Sequence, residues 1–90
     1  MFNLDGQWRV HPQVAVRPER FGALLYHFGN RKLSFLKNPT MLRIMQCLDE
    51  QPNARAALRA SDVPAEQDET YRKALATLAQ SEMIQERPLS

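Results

Sequence analysis

The chain has 90 residues, 43% hydrophobic and 24% charged, a composition typical of one ordinary globular domain. No apolar run approaches the ~20 residues of a membrane span, and the N-terminus lacks the cationic and apolar regions of a signal peptide. The single cysteine, Cys47, excludes an internal disulfide, so we expect a cytoplasmic protein that does not contact membranes. We expect a loose segment over residues 1–8, one domain over 9–87 and a tail over 88–90.

The net charge of +2 is unevenly distributed. Residues 1–37 hold six basic and two acidic side chains, whereas residues 38–90 hold six basic and eight acidic ones. A protein that binds nucleic acid usually concentrates positive charge on its reading element. This distribution therefore disfavours nucleic acid as a partner.

The first half of the chain predicts a three-stranded antiparallel sheet. Prolines bracket the first strand, and the dipeptide Gly29-Asn30 between the other two is a hairpin signal. The predicted strands span residues 13–17, 22–28 and 31–36. If Gly29-Asn30 is the whole loop, counting pairs Tyr26 with Leu33 and Leu24 with Phe35.

This pairing gives the two faces of the sheet different chemistry. One face carries Leu24, Tyr26, Phe28, Arg31, Leu33 and Phe35, and the other carries Ala23, Leu25, His27, Lys32 and Ser34. Because the first face is apolar and aromatic, we expect it to be the covered one. Tyr26, Leu33 and Phe35 are therefore predicted to lie in the core.

The second half predicts three helices. Asn38-Pro39 supplies an N-cap and a first-turn proline for a helix that runs to about Glu50, with Met41, Ile44 and Leu48 facing the core. The remaining predicted elements are a short helix over 54–60, a helix from Pro64 to about Ser81, and a short strand or extended tail over 83–87. This order predicts an α+β fold, a three-stranded antiparallel sheet on a winged helix-turn-helix with three helices.

The sequence shows no catalytic constellation. His11 and His27 have no cysteine or carboxylate at metal-ligand spacing, and Cys47 lies beside an apolar helical stripe. The three glycines are scattered, so they form no phosphate-binding loop. We therefore expect no enzymatic activity, no metal and no cofactor.

Three binding roles stay open on these residues. A helix-turn-helix often binds DNA through its third helix, but here that helix begins among acidic residues that repel phosphates. The last strand, over 31–36, contains no proline or glycine, so its edge is open to an extended peptide unless the C-terminal tail or a second subunit covers it. A purely structural subunit of an enzyme complex is the third possibility.

Several segments of the chain closely resemble the mycofactocin precursor-peptide chaperones, relatives of the pyrroloquinoline quinone peptide chaperone. The matching segments are WRVHPQVAVRPE at 8–19, FGALLYHFG at 21–29, LSFL at 33–36 and YRKAL at 71–75. Together they cover most of the chain, and the strand motifs are the more specific part.

The resemblance implies that a ribosomally made precursor peptide docks as a strand on the last strand of the sheet, in a groove walled by the third helix. It further implies delivery of that peptide to a radical S-adenosylmethionine enzyme, which carries the iron–sulfur chemistry. The implied peptide-binding residues of this sequence are Lys32, Leu33, Ser34, Phe35, Leu36, Tyr71, Arg72 and Leu75.

Overall fold

A computed structural model describes residues 2–87, so the tail expected over 88–90 lies outside the described residues. The elements are β1 (Trp8–Val10), β2 (Val14–Glu19), β3 (Gly22–His27), β4 (Leu33–Leu36), α1 (Pro39–Cys47), α2 (Ala54–Ala60), α3 (Asp68–Gln80) and β5 (Ile84–Glu86), with a 3-10 turn, Ala65–Gln67, before α3. The α+β class, the three-stranded antiparallel sheet and the three helices are confirmed.

The three-stranded sheet has the order β2-β3-β4 and the predicted register. Tyr26 pairs with Leu33, and Leu24 pairs with Phe35. The hairpin loop is longer than predicted, because β3 ends at His27 and β4 begins only at Leu33. The positive φ falls on Arg31, at 62°, and not on a glycine of this loop.

The predicted assignment of the two sheet faces is wrong. Leu25 and Leu36 are buried, whereas Leu33 and Phe35 are 58% and 60% exposed. The helices cover the face that looked mixed in sequence. The reason lies partly in β2, whose half-buried Val16 lies opposite Leu25 and extends that face as a continuous aliphatic surface.

Gly22 allows the sheet to close tightly at the start of β3. Its φ is 154°, and a Cβ at this position would lie 2.0 Å from the carbonyl oxygen of Leu36. Only glycine fits there, because no flexible side chain is available to move aside. The end of β4 is thereby held against β3, next to the start of α1.

The first two helices begin where the sequence predicts, although α1 ends at Cys47 and not near Glu50, whereas α3 begins at Asp68, after a 3-10 turn, and not at Pro64. Asn38 accepts a hydrogen bond from the backbone N–H of Met41 at 2.8 Å, and Asn53 accepts one from Ala56 at 2.8 Å. These side chains satisfy donors that the first turn of a helix leaves unpaired. The predicted core residues are buried, Met41 and Ile44 within α1 and Leu48 just after its end.

A second sheet joins the two ends of the described chain. β1 pairs antiparallel with β5, with Val10 opposite Ile84, so of the two alternatives predicted for residues 83–87 the short strand is the one observed. The expectation that residues 1–8 are loose does not hold for residues 2–8. Phe2 is buried and stacks on Trp8 with ring centroids 4.3 Å apart, because both rings close the end of the hydrophobic core.

Among the residues described, no helix has both the length and the apolar character needed to cross a membrane.

Candidate functional site

The edge of β4 presents backbone groups that the sheet does not use. Within residues 2–87, β4 pairs with β3 alone, and the carbonyl oxygen of Lys32 accepts from the N–H of His27 at 3.0 Å. Hydrogen bonding alternates along an antiparallel pair, so Ser34 and Leu36 also bond toward β3. The N–H and C=O groups of Leu33 and Phe35 therefore point away from the sheet.

The opposite edge of the sheet, at β2, is poorly suited to accept a further strand. The N–H of Val14 donates to the carbonyl oxygen of His11 at 2.9 Å, and Pro18 has no N–H. The N–H of Phe28 donates to the carbonyl oxygen of Gln13 at 2.8 Å, so Gln13 and every second residue after it bond toward β3. The backbone groups of Val14 and Pro18 therefore point outward. Of the two edges, β4 is the one open to strand addition.

A groove runs between the β4 edge and α3. Its volume is about 370 Å³, and it is lined by Ser34, Phe35, Leu36, Lys37, Asn38, Met41, Ala74, Thr77 and Leu78. The buried side chains of Leu36, Met41 and Leu78 are apolar, whereas Lys37 and Thr77 are exposed. An apolar groove bordered by a few polar groups can hold alternate side chains of an extended peptide.

The two walls of the groove are tied together at the hairpin tip. The Asn30 amide nitrogen donates to the carbonyl oxygen of Ser81 at 3.3 Å and to the Glu82 carboxylate at 3.2 Å, just beyond the end of α3. Nδ1 of buried His27 accepts from the N–H groups of Gly29 at 2.9 Å and Asn30 at 3.1 Å. His27 therefore fixes the shape of the turn that reaches α3, a role with no signal in the sequence.

Three of the five predicted strand residues, 32–36, line the groove, and two lie outside its lining. Ser34, Phe35 and Leu36 line it, Leu33 is exposed on β4, and Lys32 ends the hairpin turn.

On α3 the predicted residues and the groove wall differ. The wall consists of Ala74, Thr77 and Leu78, while Leu75 is fully buried in the core. Successive helical residues are about 100° apart, which places Arg72 between about 120° and 160° from all three wall residues. Tyr71 is half-buried and shares the face of Leu78, seven positions further on. Spacing alone identified the apolar stripe but not which side of it meets β4.

The acidic beginning of α3 is held by ion pairs within the chain. Asp68 accepts from Arg59 at 2.6 and 2.8 Å and from Arg55 at 3.3 Å. The hydrogen bond from Arg59 and the positive charge of both guanidinium groups lower the pKa of Asp68. Arg72 likewise lowers the pKa of Glu69 by hydrogen bonding to it, so Arg72 is engaged with its own helix.

No group of three or more His, Cys, Asp or Glu residues comes together as a possible metal site in the part of the chain that the structure describes. An open sheet edge beside an apolar groove is typical of modules that bind an extended peptide by strand addition.

Comparison with known proteins gives the family. The model of the Peptide chaperone MftB family matches residues 7–85, and the chain belongs to that family. It is 55% identical over 83 residues to peptide chaperone MftB of Mycolicibacterium smegmatis, covering 92% of this chain and 81% of the relative. The protein of the same name from Mycobacterium tuberculosis is also 55% identical, with 92% and 76% covered. No solved structure gave a significant match.

The family confirms the resemblance seen in the sequence. Its curated members are named as peptide chaperones, a binding role and not a catalytic one. The interpretation of this chain as a non-enzyme agrees with them.

Proposed function

We propose that this chain is a peptide chaperone of mycofactocin biosynthesis that binds a ribosomally made precursor peptide as an added strand on β4. The observation that supports this most directly is the open β4 edge, where Leu33 and Phe35 direct their backbone N–H and C=O groups outward beside an apolar groove. Membership of the peptide chaperone MftB family supports the same role.

In this proposal, backbone hydrogen bonds supply affinity and the groove supplies selectivity. The peptide contacts Lys32–Leu36 on one side and Ala74, Thr77 and Leu78 of α3 on the other, with Tyr71 extending the helical wall. Leu75 supports the wall from the core, and Arg72 acts only through its pairing with Glu69. Side chains of the peptide alternate between the groove and the exposed face of the sheet.

We further propose that the bound peptide is delivered to a radical S-adenosylmethionine enzyme in the cytoplasm, where the single cysteine stays a free thiol. Holding the peptide raises its effective concentration at the enzyme. The order of α1, α2 and α3 beside an antiparallel sheet supports the proposed winged helix-turn-helix arrangement.

Filling the groove tests the proposed function. Thr77 is exposed on the groove wall, so Thr77→Trp should fold normally yet block the peptide. The dissociation constant for the precursor, measured by isothermal titration calorimetry, should rise about tenfold or more, equal to ~1.4 kcal/mol. Gln46→Trp, on an exposed position of α1 outside the groove, is the matched control and should bind like the wild type.

The same titrations separate peptide binding from DNA binding. If the wild type bound duplex DNA with a steep salt dependence and had no affinity for the precursor, the proposed function would be wrong.

A further inference from the structure

The uncovered face of the three-stranded sheet is apolar. Its large apolar side chains come from β3 and the residue after it, from β4 and from the β2–β3 turn, while β2 adds Ala15 and Arg17 at one side. We call this surface the aromatic face; it comprises Phe21, Leu24, Tyr26, Phe28, Leu33 and Phe35. Tyr26 meets Phe28 edge-on at 4.9 Å, and Phe21 lies 6.4 Å from Phe35 between ring centroids. The rings therefore contact one another and leave their outer surfaces to solvent.

The exposed area of the aromatic face is the size expected for a protein interface. Phe21, Phe28 and Phe35 are 48%, 62% and 60% exposed, and Leu33 is 58% exposed. With side chains of about 150–250 Å², these four residues leave roughly 400 Å² of apolar surface in water. A standard interface takes ~800 Å² from each partner, of which about 57% is apolar. The face thus supplies the apolar part of one such interface.

The charges around the aromatic face decide what kind of partner fits it. Arg17 lies on the face opposite Leu24, and four further basic residues occur in the turns and at the end of β4: Arg20, Arg31, Lys32 and Lys37. Fewer acidic residues oppose them: Glu19 pairs with Arg17 at 3.2 Å, and the Glu82 carboxylate accepts from Asn30 at the hairpin tip. A second copy of this chain would bring like charges together, whereas a surface with carboxylates around an apolar centre is complementary.

The aromatic face is continuous with the peptide groove. Phe35 belongs to both, and a peptide strand on β4 would lie about 4.8 Å from it and add its own row of side chains to the same face. A protein seated on the aromatic face would therefore touch the bound peptide directly.

From these observations we infer that the aromatic face is the docking surface for the enzyme that modifies the peptide, through an apolar patch of that enzyme bordered by carboxylates. The inference rests on the proposed function. Because the bound peptide widens the surface, peptide and enzyme strengthen each other's binding by the same factor.

Placing a negative charge on the part of the aromatic face that does not line the groove tests the inference. Phe28 is exposed at the hairpin end, does not line the groove, and holds Gln13 only through its backbone N–H. Phe28→Glu should therefore leave precursor affinity within about twofold while weakening binding to the purified radical S-adenosylmethionine enzyme at least about tenfold. Gln46→Glu adds the same charge on exposed α1 and should change neither affinity.

Wild-type binding to the enzyme should also tighten when the precursor is present. An enzyme affinity unchanged in both Phe28→Glu and Phe21→Glu would overturn the inference. Two other results would also overturn it. One is a wild-type dimer that dissociates in both variants, and the other is wild-type binding to vesicles of phosphatidylcholine and phosphatidylglycerol that is lost in both variants.

The inference and the proposed function fail differently. If the wild type binds the enzyme through Phe28 but shows no affinity for the precursor, the proposed function is wrong and the docking surface stands. If the precursor binds at the groove and the enzyme ignores Phe28, the docking surface is wrong and the proposed function stands.

Discussion

Replacing Phe35 with proline should weaken peptide binding without unfolding the sheet. The Phe35 N–H points away from β3, so proline removes no hydrogen bond within the sheet, and an edge strand tolerates the residue at such a position. If the peptide pairs with β4, the outward N–H and C=O groups of Leu33 and Phe35 offer four hydrogen bonds. Losing one donor, with the proline ring filling its place, should cost about 1–2 kcal/mol, or about 5- to 30-fold in the dissociation constant.

The experiment needs a control for the lost aromatic ring. Phe35→Ala removes the same ring and keeps the N–H, so the difference between the two variants isolates the backbone contribution. Fluorescence anisotropy of a labelled precursor peptide measures affinity, and circular dichroism melting verifies the fold. Ser34→Pro should be far less stable than either, because the Ser34 N–H bonds toward Leu25. The reasoning is refuted if Phe35→Pro binds the precursor as tightly as Phe35→Ala.

Three further predictions concern stability and are measured by urea denaturation. Leu25→Ala should cost about 2–5 kcal/mol, because Leu25 is fully buried. Phe35→Ala should cost less, because the ring of Phe35 is largely exposed, and equal costs would contradict the assignment of the two faces. His27→Leu should cost about 1–3 kcal/mol, because it leaves the N–H groups of the turn without their acceptor. His27→Asn should recover part of this stability, and no recovery would mean that the Nδ1 contacts are unimportant. Asp68→Asn should cost about 1 kcal/mol near neutral pH. Because the pKa of Asp68 is lowered in the folded protein, its contribution to stability is complete above the ordinary aspartate pKa of about 4 and is lost as the pH falls through the lowered value. If Asp68→Asn remained less stable than the wild type by the same margin at low pH, the ion pairs of Asp68 would not be the cause of the difference.

The sequence determined the register of the sheet but not which face is covered. Turn position and counting were enough to pair Tyr26 with Leu33, since a slip by one residue would mix the two sets of side chains. The choice of face rested on apolar content alone, and here the more aromatic face is exposed. β2 carried the missing signal, because Arg17 lies opposite Leu24 and therefore marks the aromatic face as the one in contact with water.

The candidate peptide-binding site could also be predicted only in part from the sequence. The open strand could be recognised because the absence of proline and glycine from 31–36 is visible in the sequence. The helical wall could not be recognised, since the apolar stripe of α3 borders both the core and the groove. Only the position of α3 relative to β4 separates buried Leu75 from exposed Thr77. The N-terminal strand β1 is too short for a periodic pattern, and its partner β5 lies at the far end of the chain.

The pairing of β1 with β5 also bears on how the protein can be shortened. These strands lie at opposite ends of the described chain, so their pairing closes a long loop, and we expect it to form late in folding. Starting the protein at His11 would remove the partner of β5 and expose Ile84, which follows directly on the segment that anchors Asn30. We therefore expect residues 2–10, although far from the groove in sequence, to be needed to keep one end of its helical wall in place.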